Sequence, residues 1–196
     1  MDQMPEVIKQ FSHVEYLTVF NAILFGFVGA EYFSGWASML RNRNSVKHYW
    51  QHILWTIFAF TLYIQNWYGV WPRTTVINEN VYYFLFSLTP ILVFHFISVI
   101  LFPDFSKGDE SFDVKMYYYG NLKWLYGLFA GYFALTIMNS FVYPDIGNVL
   151  VQNLIRLGGV ALCVTAIIFE KKKYIHLIFL IIGYLALFLF LRALPS

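Results

Sequence analysis

The sequence predicts an all-α polytopic membrane protein with six transmembrane helices in one bundle. Of its 196 residues, 59% are hydrophobic and only 12% are charged, which is far too apolar for an ordinary soluble domain. Apolar runs of about 20 residues, the length that crosses a bilayer, recur between short polar segments. We therefore expect one transmembrane domain over 14–193. Its spans are predicted at about 14–40, 48–70, 81–102, 117–141, 148–169 and 174–193.

The first span carries two features that point to helix contacts. It follows residues 1–13, a short interfacial segment in which Val7, Ile8 and Phe11 recur at helical spacing. Within the span, Glu31 places a carboxylate in hydrocarbon, where such residues are rare and face the bundle interior or water. Small side chains recur every four residues and form a ridge for close packing, inside the chain or between subunits: Ala22, Gly26, Ala30, Ser34 and Ser38.

Ionisable residues on four spans are expected at a similar depth. Counted from the nearest connection at about 1.5 Å per residue, four of them fall roughly 6–15 Å from one membrane face: Glu31, His52, His95 and Lys123. We expect a polar cluster that faces the interior, with Lys123 as the partner of Glu31. The alternatives are structural. For the charged residues they are a Glu31–Lys123 ion pair that only joins two helices, or a Lys123 side chain that extends to the membrane surface. For the histidines they are an interfacial position of His52 and a structural hydrogen bond of His95.

The fifth span contains a second polar site near the other membrane face. Arg156 shares a helix face with Gln152, and it needs an acceptor such as Asn139, Gln65 or a lipid phosphate. It is either a structural anchor or a site for an anion or carboxylate, because arginine binds such groups through two hydrogen bonds. The sixth span follows so closely that the two should form a tight antiparallel hairpin.

Basic residues set the expected orientation. The first, third and fifth connections, together with Lys123, carry nine Lys and Arg residues, whereas the opposite side carries three. Cytoplasmic loops retain such residues, so both termini are expected to be periplasmic.

Function is predicted from the residue types in the membrane. Glutamate and histidine suit proton relays, because burial and neighbouring charges move their pKa values toward neutrality. The working hypothesis is proton-linked or ionic translocation through the four-residue cluster, in a homo-oligomer because six helices are few for a transporter. One alternative is electron transfer through a b-type haem held by His52 and His95. Another is a non-catalytic sensor or assembly subunit that docks a membrane protein partner.

Other functions find little support in the sequence. It lacks HExxH, GxSxG and nucleotide-loop motifs, which disfavours an enzyme. One cysteine, Cys163, and irregularly spaced acids in 104–113 predict no metal site, and no cofactor other than the alternative haem is expected. A net charge of +2 argues against nucleic acid, so the expected partner is the lipid bilayer.

The first part of the chain resembles a group of uncharacterised bacterial integral membrane proteins. The resemblance covers roughly the first 75 residues and is carried by HVEYLTVF, GAEYFSGWASMLRNRNSVKHYWQHILWTIF and LYIQNWYGVW. In that group, two opening helices are joined by an Arg-rich turn and followed by a YWxHxLW-like segment. The resemblance implies a bacterial inner-membrane protein and brings no activity or site residue with it.

Overall fold

The computed structural model describes residues 6–70, 77, 80–105, 112–142 and 149–192, with side chains between 15 and 189. The described residues form six α-helices, which confirms the all-α prediction, and two short strands. The helices are α1 (Glu6–Arg41), α2 (Trp50–Val70), α3 (Val81–Leu101), α4 (Val114–Val142), α5 (Val149–Ile168) and α6 (Lys173–Arg192). Strands β1 (Val46–Lys47) and β2 (Phe112–Asp113) pair in parallel.

Four helices are long and apolar enough to cross a membrane: Glu15–Arg41, Val81–Leu101, Val114–Val142 and Val149–Ile168. The apolar part of α6, Lys173–Leu189, is shorter. The first helix differs from its predicted form, because residues 6–13 continue directly into the span rather than making a separate segment. No proline interrupts Glu6–Arg41, so nothing in the sequence breaks the helix there. Residues 1–5 of the predicted segment lie outside the described part of the chain.

Side chains cap two of the helices. Asn80 precedes α3, and its side-chain oxygen accepts a hydrogen bond from the backbone nitrogen of Tyr82 at 2.8 Å. Asp113 does the same for α4, accepting from the backbone nitrogens of Lys115 and Met116 at 2.8 and 3.2 Å. Such oxygens satisfy N–H groups that the first helical turn leaves unpaired.

Three connections meet at one end of the bundle. Tyr49, between β1 and α2, donates to Gln51, and Tyr119 on α4 donates to Tyr49 at 2.9 Å. The ammonium of Lys173, at the start of α6, lies 5.5 Å from the Tyr119 ring centre. We call this the basic end, because exposed basic residues gather there: Arg41, Arg43, Lys47, Lys115, Lys171, Lys172 and Lys173.

Burial raises the pKa of the Tyr49 phenol, and the hydrogen bond with Tyr119 raises it further. The phenol therefore stays neutral and donates its hydrogen bond to the side-chain oxygen of Gln51. This hydrogen-bonded chain ties the start of α2 to α4.

Aromatic rings fill the core of the bundle, and α1 packs into this core through one of its faces. Phe25, Val28 and Tyr32 are buried on this face, and the Tyr63 hydroxyl of α2 donates to the Phe25 carbonyl. Gly29 makes the approach possible, because a Cβ there would lie 3.3 Å from the Tyr63 hydroxyl oxygen. The opposite face of α1 is left on the outside of the bundle.

Candidate functional site

The main candidate site is a cavity of about 400 Å³ lined by residues of α2, α3, α4, α5 and α6. Its walls are mostly apolar and aromatic, and include Phe58, Leu62, Phe129 and Phe179. On α2 the lining extends from Trp55 to Val70, fifteen residues or about 22 Å along the helix axis. The cavity therefore suits a molecule with a long apolar body.

Polar groups collect at the end of the cavity away from the basic end. Arg156 lies there, seven residues into α5 and thus about 11 Å from the start of that helix. Its guanidinium donates to the Thr136 carbonyl at 3.2 Å, to the Asn153 side chain at 2.9 Å and to the Gln152 side chain at 3.3 Å. Asn153 is itself held by the Ser140 hydroxyl, to which it donates at 2.8 Å. The guanidinium is thus fixed between α4 and α5.

Three side-chain amides surround the same end. They line the cavity and each has a buried polar atom without a hydrogen-bond partner among the described residues: Gln65 Oε1, Asn66 Nδ2 and Asn139 Oδ1. A buried polar atom without a partner costs about 1–3 kcal/mol, so such groups are usually bound by something. The predicted Gln152–Arg156 pair is present, but the acceptors of Arg156 are Thr136 and Asn153 rather than Gln65 or Asn139.

The other end of the cavity is closed by an aromatic and histidine network. The Tyr126 hydroxyl lies 3.1 Å from Nδ1 of His176, and the two rings stack with centres 5.6 Å apart. Nε2 of His176 lies 2.9 Å from the Glu170 carbonyl. Since that carbonyl only accepts, Nε2 carries the proton, and Nδ1 accepts from Tyr126. The network ties α4 to the turn between α5 and α6.

Glu31 lies on the outside of the chain, contrary to the expectation that it faces the bundle interior. Its ridge also lies outside, so packing of the ridge between subunits stays a prediction. Glu31, Ala22, Gly26, Ala30 and Ser34 are exposed, and Ser38 is half-buried. The cause is the packing of α1, which uses its bulky aromatic face and the glycines at 29 and 35. A Cβ at Gly26 would meet nothing within 4 Å.

Lys123 does not pair with Glu31. Its ammonium lies 3.1 Å from the Glu170 carboxylate, and its side chain is 62% exposed. The two residues meet because the α5–α6 turn reaches the start of α4 at the basic end. The predicted ion pair is thus replaced by one that links α4 to this turn.

The two predicted histidines lie apart from the cavity lining. His52 is 1% exposed, and its Nε2 donates to the Leu101 carbonyl at 2.6 Å, which joins α2 to α3. His95 is half-buried on α3 beside the Phe96 ring. The structure therefore brings none of the four cluster residues together around one space. It also does not fit a haem held by both histidines, because Nε2 of His52 is already engaged and neither ring lines the cavity.

Sequence reasoning missed Asn153 and His176. Both had a usable signal, since each is a polar residue on the buried side of an apolar helix: Asn153 lies three residues before Arg156, and His176 lies four before the buried Leu180. Their partners come from other helices, which spacing within one helix does not indicate.

Comparisons of the chain with protein-family models, with curated proteins and with solved structures found no match. The resemblance to bacterial integral membrane proteins therefore stays a prediction. Within the described ranges, no three His, Cys, Asp or Glu side chains come close enough to hold a metal ion.

Proposed function

We propose that this chain is a six-span membrane protein whose cavity binds an amphipathic acid. The acidic head lies beside Arg156 and the apolar body lies between the aromatic walls. The observation that carries this proposal is a guanidinium at one end of a mostly apolar cavity of about 400 Å³. Ligand sites are commonly apolar pockets in which a few polar groups fix the orientation of the bound molecule.

The six-span part of the proposal depends on α2 and α6. They have 21 and 20 residues, so each is about 30 Å long, which matches the hydrocarbon thickness of a bilayer. Polar side chains of α2 such as Gln51 and Thr56 are buried within the bundle and avoid lipid. The basic end is then cytoplasmic and both termini are periplasmic, in a bacterial inner membrane.

Arg156 favours an anionic head over a neutral one. A guanidinium binds a carboxylate or phosphate through two parallel hydrogen bonds, and the low dielectric around it strengthens that attraction. The carbonyl of Thr136 and the side-chain amides of Asn153 and Gln152 accept hydrogen bonds from Arg156, which orients the guanidinium at this end of the cavity.

The proposal is tested by comparing a polyene fatty acid with its methyl ester, which has the same apolar body and no charge. We expect the purified protein to bind the acid at least about tenfold more tightly, a difference of about 1.4 kcal/mol. Arg156→Gln should lower acid binding to the level of the ester and leave ester binding unchanged. Arg156→Lys keeps the charge but not the paired hydrogen bonds, and it should retain part of the preference.

Two results would contradict the proposal. One is equal binding of acid and ester by the unmodified chain. The other is an acid preference that survives Arg156→Gln, since the charge would then be recognised elsewhere. Circular dichroism of each variant controls for loss of the helical fold.

Translocation takes a specific form under this proposal. The amphipathic acid is the ion that is moved, and Arg156 rather than Glu31 is the residue that it meets. A proton relay through Glu31, His52, His95 and Lys123 stays a prediction, as does a homo-oligomer that covers the exposed ridge of α1.

A further inference from the structure

The helices α5 and α6 form a hairpin that is packed tightly only near its turn. Close to the turn, Cys163 and Ala166 of α5 and His176 and Leu180 of α6 are buried. The bond from His176 to the Glu170 carbonyl closes this end. Farther from the turn, between 149 and 162, no residue of α5 is buried, and Leu150, Leu154 and Leu157 are exposed.

Beyond the turn, two glycines attach the helices to different neighbours. Gly159 sets α5 against α4, because a Cβ at this position would lie 2.8 Å from the ring of Phe133. Gly183 sets α6 against α2, because a Cβ there would lie 3.2 Å from the ring of Phe58. The Tyr184 hydroxyl also donates to the Leu54 carbonyl of α2 at 2.8 Å. Beyond the turn, each helix of the hairpin therefore packs against a different neighbour.

The cavity reaches the surface between them. Gly158 on α5 and Ile182 on α6 both line the cavity and are both exposed. Gly158 lies ten residues before the end of α5 and Ile182 nine residues after the start of α6, so both are about 14–15 Å from the turn. Both therefore lie about halfway along their helices, at the depth of the hydrocarbon core. We call this opening the lateral fissure.

We infer that the ligand enters the cavity sideways from the lipid phase, through the lateral fissure between Gly158 and Ile182. The inference deepens the proposed function and depends on it. It assigns the ligand to a class: a membrane-dissolved amphiphile with a single apolar chain and an acidic head, carboxylate or phosphate. Such a molecule moves from bilayer to cavity with its chain surrounded by apolar groups throughout, which avoids the cost of exposing that chain to water.

A cross-link across the fissure tests this route. Gly158→Cys and Ile182→Cys are combined in a Cys163→Ala background, so that the introduced thiols are the only ones, and are joined by a cleavable bis-maleimide. Gly158 tolerates the change, because no atom lies within 4 Å of its Cβ position. The probes are the polyene fatty acid and a lysophospholipid with the same chain, added to proteoliposomes, and they distinguish the two acidic heads.

We expect cross-linking before loading to slow probe entry at least about tenfold, and cross-linking after loading to trap the probe. Cleavage of the linker should restore both rates. Each single cysteine variant, treated with the same bis-maleimide, controls for modification without a cross-link, and it should slow probe entry less than the cross-linked pair does.

Unchanged entry and exit rates in the cross-linked protein would overturn lateral entry and indicate entry at the polar end, past the exposed Tyr68. Release of the loaded probe on cross-linking would also overturn it, since the linker would then disrupt the site rather than close a route. Failure of the uncross-linked background to bind either probe would instead refute the proposed function.

Discussion

Both ring nitrogens of His176 make hydrogen bonds, so a substitution at this residue should affect the stability of the bundle. Phenylalanine keeps most of the ring area but leaves the Tyr126 hydroxyl and the Glu170 carbonyl without these bonds. We expect His176→Phe to lower the free energy of unfolding by about 1–3 kcal/mol, because a buried polar group without a partner is costly. Reversible unfolding in detergent, followed by circular dichroism, measures the change.

His95 supplies a matched control for the same substitution. It is half-buried, and its ring packs against the neighbouring Phe96 ring. His95→Phe should change the free energy of unfolding by no more than about 0.5 kcal/mol, as is usual away from buried networks. An equal loss of stability in both variants would show that the hydrogen bonds of His176 do not contribute specifically to the free energy of unfolding.

Two residues show which features of the side chains could be predicted from the sequence and which could not. Arg156 could be identified from sequence, because a guanidinium in an apolar run is costly wherever the helix faces. The orientation of Glu31 could not, since both faces of α1 suit packing. One face has small residues and the other has Phe25, Val28 and Tyr32, and contacts with α2 and α3 decide between them.

At the scale of helices, the adjacent Gly158 and Gly159 have opposite roles. A methyl group on Gly159 collides with the Phe133 ring, whereas one on Gly158 meets nothing within 4 Å. Gly159→Ala should therefore destabilise the protein by about 1–3 kcal/mol through overpacking between α4 and α5. Gly158→Ala should be neutral or stabilise it by up to about 1 kcal/mol, because alanine favours the helix.

The same unfolding assay compares the two glycine variants directly. Equal stability of the two would contradict the packing that separates α5 from α6 and opens the lateral fissure. A loss confined to Gly158→Ala would contradict it as well.

Helix positions were predictable from the sequence, and helix neighbours were not. Apolar runs and the polar segments between them place α2 to α6 within a few residues of their observed ends. The hairpin of α5 and α6 was expected to be tight throughout. Its buried contacts lie near the turn, whereas farther along Gly159 packs against Phe133 of α4 and Gly183 packs against Phe58 of α2.

For the whole molecule, the arrangement of the helices creates a cavity that no single segment of the sequence predicts. Residues that line the cavity come from five helices, and its polar end combines Asn66 of α2, Asn139 of α4 and Arg156 of α5. The sequence predicted Arg156 to be either a structural anchor or an anion site, and it gave no sign of the apolar space beside it. That space follows from the spacing of the helices, which interhelical glycines and aromatic rings set.

The central claim is that an amphipathic acid lies inside this cavity, and energy transfer from tryptophan tests it most directly. Trp55 lines the cavity and is 4% exposed, whereas Trp124 is 70% exposed on the outside of α4. With equal amounts of bound polyene fatty acid, Trp55→Phe should remove most of the emission transferred from tryptophan, and Trp124→Phe should remove little. The reverse result, loss with Trp124→Phe and none with Trp55→Phe, would place the acid in the surrounding lipid and contradict the account.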